Sequence, residues 1–343
     1  MSISNIDFVV TWVDSNDPEW QKAKNRARGL SDGDSRTARY RDWDTLRYWF
    51  RGIETFAPWV NRVFFVTCGH YPDWLNLECD KLTLISHKDF IPEQYLPTFS
   101  CRPIEFNLHR IPGLSEQFVY FNDDMFLTRA VKPEDFFKKG LPCDSAILDA
   151  QSPSAQGSNG ERMTLTQVYS SLFFNTAVIN RNFSKMKSIK ANWGKWFSPI
   201  YGTKSFRSLL LLPWGLFTGF KSDHLPYSYL KSTYEKVWAA EGDVLDIACS
   251  HKFRESTDVS SRLLSFWQIA EGSFYPRSPK IGLQTFISND DKNNQKVFNA
   301  IANGKYKMIC VNDEYSGNQF EKVKELWKNS FEAILPNKSN FER

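Results

Sequence analysis

No apolar run in this 343-residue chain reaches the roughly 18 residues that a membrane-spanning helix needs. The start, Met1-Ser2-Ile3-Ser4-Asn5, lacks the basic region and apolar core of a secretory signal. A soluble cytoplasmic protein is therefore expected. Cysteine pairs are missing too: Cys68, Cys79, Cys101, Cys143, Cys249 and Cys310 are scattered, with no C-x-x-C among them. That spacing argues against zinc and against a disulfide framework, and reduced core thiols are expected. Strong charge imbalance is absent, the formal net charge being +4. So mild a value suits an anionic substrate or a membrane surface and calls for no nucleic acid. Nor does the sequence repeat itself, which excludes a solenoid.

Aromatic residues are plentiful, at 15% of the chain. Such loading fills cores and also suits sugar binding. The most telling stretch is Phe118-Val119-Tyr120-Phe121-Asn122-Asp123-Asp124-Met125-Phe126. An apolar strand runs straight into two adjacent carboxylates beside an amide. Neighbouring acids at the end of a buried strand repel and are costly to desolvate, and a divalent cation relieves both penalties. Oxygen ligands suit Mg²⁺ or Mn²⁺, ions that commonly also hold substrate phosphates. The same tripeptide also reads as a plain polar turn.

Other segments follow an α/β rhythm. Asp7–Trp12 is an opening strand that ends in an acidic loop, Val13-Asp14-Ser15-Asn16-Asp17-Pro18. Gln21–Arg41 is polar and basic and reads as a loop whose Arg36, Arg39 and Arg41 are candidates to clamp phosphate. Leu46, Trp49, Phe50, Ile53 and Phe56 have helical spacing, and strands follow at Arg62–Thr67 and Leu82–Ile85. Strand, helix, strand in this order predicts a parallel sheet. Glu105 and His109, four apart on a short helix, read either as general-base machinery or as a surface pair. His251–Ser256 is expected to open a helix able to hold phosphate, with Arg262 a turn inside it. Asp223-His224-Leu225-Pro226 precedes a helix on Leu230, Tyr234, Val237 and Trp238. Leu209–Phe220 is strongly apolar and too short to span a bilayer, so it reads as core or as a patch that dips into a membrane. A late strand, Lys307–Val311, ends in Asn312-Asp313, and an amphipathic helix closes the chain.

Several blocks together resemble the Stealth family, which comprises bacterial capsular polysaccharide phosphotransferases and the α/β subunit of animal GlcNAc-1-phosphotransferase. The first block is Ile6–Asp14 with Asn16-Asp17-Pro18. The second runs from Arg39-Tyr40-Arg41-Asp42 through Pro72-Asp73-Trp74-Leu75-Asn76 and His109-Arg110-Ile111-Pro112-Gly113-Leu114 to Tyr120–Asp124. The third is Asp223-His224-Leu225-Pro226 with His251-Lys252-Phe253-Arg254, and the fourth is Asn312-Asp313-Glu314 with Ser339-Asn340-Phe341-Glu342.

The resemblance implies a GT-A-like α/β sandwich with a mostly parallel central sheet. It implies one catalytic domain over 1–343, with a core at 5–148 and 223–335 and a variable acceptor or lid insertion at about 149–222. The implied reaction moves hexose-1-phosphate or HexNAc-1-phosphate from a UDP-sugar to an acceptor sugar hydroxyl. UMP is released and a phosphodiester-linked capsular polymer grows. The alternative is an ordinary metal-dependent glycosyltransferase releasing UDP. By this resemblance Asn122, Asp123 and Asp124 hold Mg²⁺ or Mn²⁺, with Asn312 and Asp313 either completing the shell or orienting the acceptor. Glu105, His224, Arg254 and Asp124 carry catalysis, Glu105 and His224 competing for the base role. Trp12, Val13, Asp14 and Asp17 shape the uridine site, although the animal pattern has Asn where Asp14 stands. Expected partners are the donor and a growing capsule polymer. Contact with a membrane or a capsule-assembly complex stays open, as does a peripheral position at the inner face of the plasma membrane.

Overall fold

In a computed structural model, the structure describes residues 5–29, 42–151, 155–156, 164–165 and 167–343. Arg36, Arg39 and Arg41 lie outside them. The strands that frame the site are β1 (Ile6–Thr11), β2 (Val63–Thr67), β3 (Leu82–Ser86), β4 (Gln117–Asn122), β5 (Met125–Leu127), β6 (Tyr227–Leu230), β7 (Gly282–Ile287) and β8 (Met308–Asp313). One sheet has the order β6-β4-β1-β2-β3, and a second has the order β7-β8-β5.

In the first sheet β4, β1, β2 and β3 are parallel and β6 is antiparallel to β4. Phe8, Val9 and Val10 of β1 are fully buried, as befits a central strand covered on both faces. The register sets Thr11 beside Asn122 and Val66, and Thr67 beside Ser86. The carboxyl ends of the strands thus open on one edge, where α/β sheets collect ligands. The parallel sheet expected from the strand–helix–strand order is present.

Helix Leu46–Phe56 buries Trp49, Phe50 and Ile53. Trp49 meets Phe121 edge-on and Phe50 meets Phe65, both rings of the first sheet. Gly52 permits the close approach of this helix to β5, since a Cβ there would lie 3.1 Å from the Leu127 carbonyl oxygen. None of the six cysteines forms a disulfide.

Several expectations need correction. Pro18–Arg28 is a helix, not part of a loop; Asp17 caps it by accepting from the Trp20 amide at 2.6 Å. Its residues are polar, but Gln, Lys, Ala and Arg are good helix formers. Residues 251–261 do not open a helix. That helix is Arg262–Glu271, so Arg262 is its first residue and Arg254 stands on the preceding loop. Tyr227–Leu230 is a strand, and the helix after it begins at Lys231. Pairing with β4 decided this, overriding the helical spacing of Leu230 with Tyr234.

Candidate active site

β4 and β5 belong to different sheets, and only Asp123 and Asp124 separate them. Each strand has an antiparallel neighbour that carries a side chain to this junction. β6 pairs Tyr227 with Tyr120, so residues just before Tyr227 run beyond the end of β4. His224 therefore reaches Asn122, with Nε2 3.1 Å from Nδ2. β8 pairs Cys310 with Met125. Val311 then donates its amide to the Asp124 carbonyl at 3.0 Å, and Asn312 Nδ2 donates to Asp124 Oδ2 at 2.8 Å.

Asp124 Oδ1 is buried and accepts no hydrogen bond from the described residues. One carboxylate oxygen of Asp124, one ring nitrogen of His224 and the Cys310 sulfur lie within 4.8 Å of one another. Burial, and then the charge of Asp123, push the Asp124 carboxyl up to about 7, while nearby Cys310 and Arg254 pull it back. Asp123 is exposed. Dense protein around it pushes its carboxyl up to about 6, and Asp42 adds to the rise.

An orphaned buried carboxylate oxygen beside a second strained carboxylate fits a divalent cation. Asp124, Asp123 and the amide oxygen of Asn122 are the oxygen donors at hand. Burial, and then Asp124, hold the Cys310 thiol well above its usual range. A protonated thiol is a poor ligand for a hard ion. Asp313 faces elsewhere. Its carboxylate accepts from the Trp43 indole at 3.0 Å and from the Tyr315 amide at 2.9 Å.

Positive charge surrounds the acid pair. Burial, and then Arg262, Arg254 and Arg102, hold His224 well below the usual imidazole range, so it is neutral. Its Nδ1 lies 3.0 Å from the Tyr227 hydroxyl, which also accepts from Arg262 Nε at 2.9 Å. Arg254 bonds the Cys101 sulfur, and Cys101 and then Glu105 raise its basicity. Buried Glu105 accepts from Arg102 at 3.4 Å and from Tyr120 at 3.5 Å. His109 packs instead against Tyr234 with the rings tilted, 5.1 Å between centroids. Glu105 and His109 thus serve different neighbourhoods.

Farther along the same edge lie the residues after β1. Trp12 stacks on Phe65 and meets His70 edge-on. The Asp14 amide donates to His70 Nε2 at 2.7 Å, and Asp14 Oδ1 accepts from Asn16. Asp17 is committed to its helix cap. Val13 is partly exposed on the same loop.

Asn122, Asp123, Asp124, Asn312, His224, Arg254 and Glu105 are therefore brought together. Asp123, Asp313 and the Trp12–Asp17 loop contribute no ligand atom to the Asp124–His224–Cys310 group. Sequence reasoning missed Arg102, Tyr227 and His70, and misplaced Arg262. His70 stood just past β2, at a strand's carboxyl end, where it was findable. A cavity of about 330 Å³ lies elsewhere, lined by Arg129, Lys138, Ile200, Tyr275, Lys280 and Lys307 among others.

Comparison with known proteins gives consistent matches. Residues 4–32 match the model for Stealth protein CR1, conserved region 1, and residues 39–143 that for Stealth protein CR2, conserved region 2. The chain is 39% identical over 345 residues to the capsular polysaccharide phosphotransferase WcwK of Streptococcus pneumoniae, covering 100% of this chain and 99% of that one. It is 39% identical over 346 residues to the receptor polysaccharide phosphotransferase WefC of Streptococcus oralis, covering 99% and 100%. Among solved structures, the galactosyltransferase LgtC in complex with donor and acceptor sugar analogs aligns at a TM-score of 0.38 and 8% identity, covering 97% of this chain and 98% of that one. The α/β assignment rests on the sheets described above.

Proposed function

This chain belongs to the Stealth family, and from that premise we propose that it transfers sugar-1-phosphate from a UDP-sugar to an acceptor hydroxyl in capsule synthesis. The observation that carries the reading is the orphaned Oδ1 of Asp124, set beside Asp123 and faced by arginines and a neutral histidine. A diphosphate needs such a site: carboxylates for its cation and guanidinium groups for its oxygens.

In this reading the acceptor oxygen bonds to the β-phosphorus. The bond from that phosphorus to the bridging oxygen breaks, and UMP leaves with the electron pair. A divalent cation held by Asp124, Asp123 and Asn122, Mg²⁺ or Mn²⁺, would supply countercharge to the diphosphate. Arg254 and Arg262 bind the phosphoryl oxygens. Positioning and countercharge do most of the work in such transfers.

His224 Nε2, which accepts from Asn122 in the free protein, takes the hydroxyl proton once the acceptor displaces that amide. Burial, and then the arginines, hold its basicity down in the free protein, and the negative charge of a bound donor offsets the arginine part. Glu105, which already accepts from Arg102, serves to hold the guanidinium groups in place. Trp12, Val13 and His70 border the uridine.

The test is incubation with a panel of UDP-sugars, Mg²⁺ and a capsule oligosaccharide. UMP as the released nucleotide, with a new phosphodiester signal in the phosphorus NMR of the polymer, is the expected result. UDP release with a phosphorus-free product would mean glycosyl transfer instead.

A further inference from the structure

The apolar stretch that the sequence left between core and surface is both. Trp196, Phe217 and Phe220 are buried. Around them Phe206 and Leu216 are each 63% exposed, Leu210 is 59% exposed and Trp214 57%. Trp193 and Leu209 are also exposed. Lys185 ties the pieces together: its ammonium donates to the Leu211 carbonyl at 2.8 Å and to that of Trp214. Helix Lys185–Ala191, with exposed Met186, Lys187 and Lys190, thus sits beside the 211–214 turn. So much exposed apolar surface on adjoining segments of a folded chain marks an interaction face.

Charge decides what fits it. Residues 167–222 contain eight Lys and Arg and not one Asp or Glu. Lys187 and Lys190 have no ion-pair partner among the described residues. A second copy docked by two-fold symmetry would set this basic face against itself, which is repulsive. An anionic lipid surface satisfies both features: it accepts Trp, Phe and Leu at the acyl boundary and cations at the headgroups. No described helix is long and apolar enough to cross a bilayer. We infer that the face formed by Phe206, Leu210, Trp214 and Leu216, with Lys187 and Lys190, binds the chain to the surface of an anionic membrane. Eight residues lead from Leu216 to His224, at most roughly 28 Å of chain. Docking therefore holds the acid pair within reach of the headgroup layer. This inference does not depend on the reaction proposed above, and its test reads no catalysis.

The experiment is sedimentation of the purified full chain with vesicles of phosphatidylcholine alone or mixed with phosphatidylglycerol. Binding is expected to the mixed vesicles and to weaken in high salt. The triple variant F206S/L210S/W214S should bind at least about tenfold less. K187E/K190E should lose preference for the anionic vesicles, each cation contributing about fivefold. Phe286→Ser, an exposed aromatic elsewhere on the chain, should match the parent, and unchanged unfolding midpoints establish that the variants fold. No binding by the parent, or undiminished binding by the triple variant, would overturn the inference. So would binding only to native membranes that retain their proteins, or light scattering that finds a dimer which the triple variant splits.

Discussion

His224 holds Asn122 and Tyr227 on its two ring nitrogens, at 3.1 and 3.0 Å. The Asn122 amide nitrogen only donates, so Nε2 accepts and the Nδ1 proton faces the Tyr227 hydroxyl. That hydroxyl also receives Arg262. Tyr227 thereby fixes the tautomer of the histidine and the position of a guanidinium at once. Tyr227→Phe should lower kcat/KM about 10- to 100-fold, the worth of a hydrogen bond to a charged group. Nucleotide release measures it, and an unaffected enzyme would remove the tautomer from the mechanism.

Asp124→Asn removes a buried charge and, with it, the main seat for a cation. Activity should fall by at least about 10³-fold, and excess chelator should do the same to the parent. In metal-free buffer the variant should nonetheless unfold at a higher temperature than the parent, because an amide is cheaper to bury than an orphaned carboxylate. Calorimetry of both proteins with and without added Mg²⁺ separates the two effects.

Arg254 differs from a generic positive charge in its fork of donors. Arg254→Lys keeps the charge and should still lose about tenfold or more, with Arg254→Ala lower again. Equal activity of the lysine variant and the parent would mean that charge alone matters there.

His109 predicts a pH effect on stability. Burial, and then Arg110 and Lys231, lower its pKa to about 4. Its folded value lies below the unfolded one of about 6.5, so protonation opposes folding. Its contribution is full above pH 6.5 and is lost as pH falls toward 4. His87, also lowered to about 4 by burial and then His70, acts in the same direction. Between pH 6.5 and 5 the parent should lose roughly 1.5 kcal/mol more than His109→Phe, with solvent screening reducing that figure. Urea titrations at the two pH values give the difference.

Arg51 and Glu342 form a buried two-point pair at 2.8 and 3.0 Å. Glu342→Gln should destabilise by about 2–3 kcal/mol, because the guanidinium loses its two-point partner and keeps only the more exposed Glu332 at 3.3 Å. Burial works against the carboxylate, yet Arg51 and Ser339 hold its pKa below the usual range. The stabilisation is therefore present above pH 4.5 and fades as pH falls. Denaturant midpoints at neutral and acid pH check both statements.

The strands were legible because their side chains are apolar and β-branched over short runs, as in Val63–Thr67 and Phe118–Phe121. The acid pair was legible because adjacent carboxylates at a strand end are chemically expensive. Tyr227–Leu230 was not, because its identity as a strand comes from β4, more than a hundred residues away. Arg254 was found through family resemblance, but on the wrong kind of element, since nothing local in 251–261 distinguishes a loop from a helix start. Arg102 escaped notice because its role depends on which residues β4 and β6 bring opposite it.

The turn from Asn122 to Met125 joins two sheets with no slack. Any sliding of one sheet past the other must rotate the carboxylates between them. The tripeptide is thus a gauge of sheet alignment: damage at a distant strand should register as lost turnover well before either sheet melts. Lengthening it by a single residue should leave two intact sheets and a blind centre.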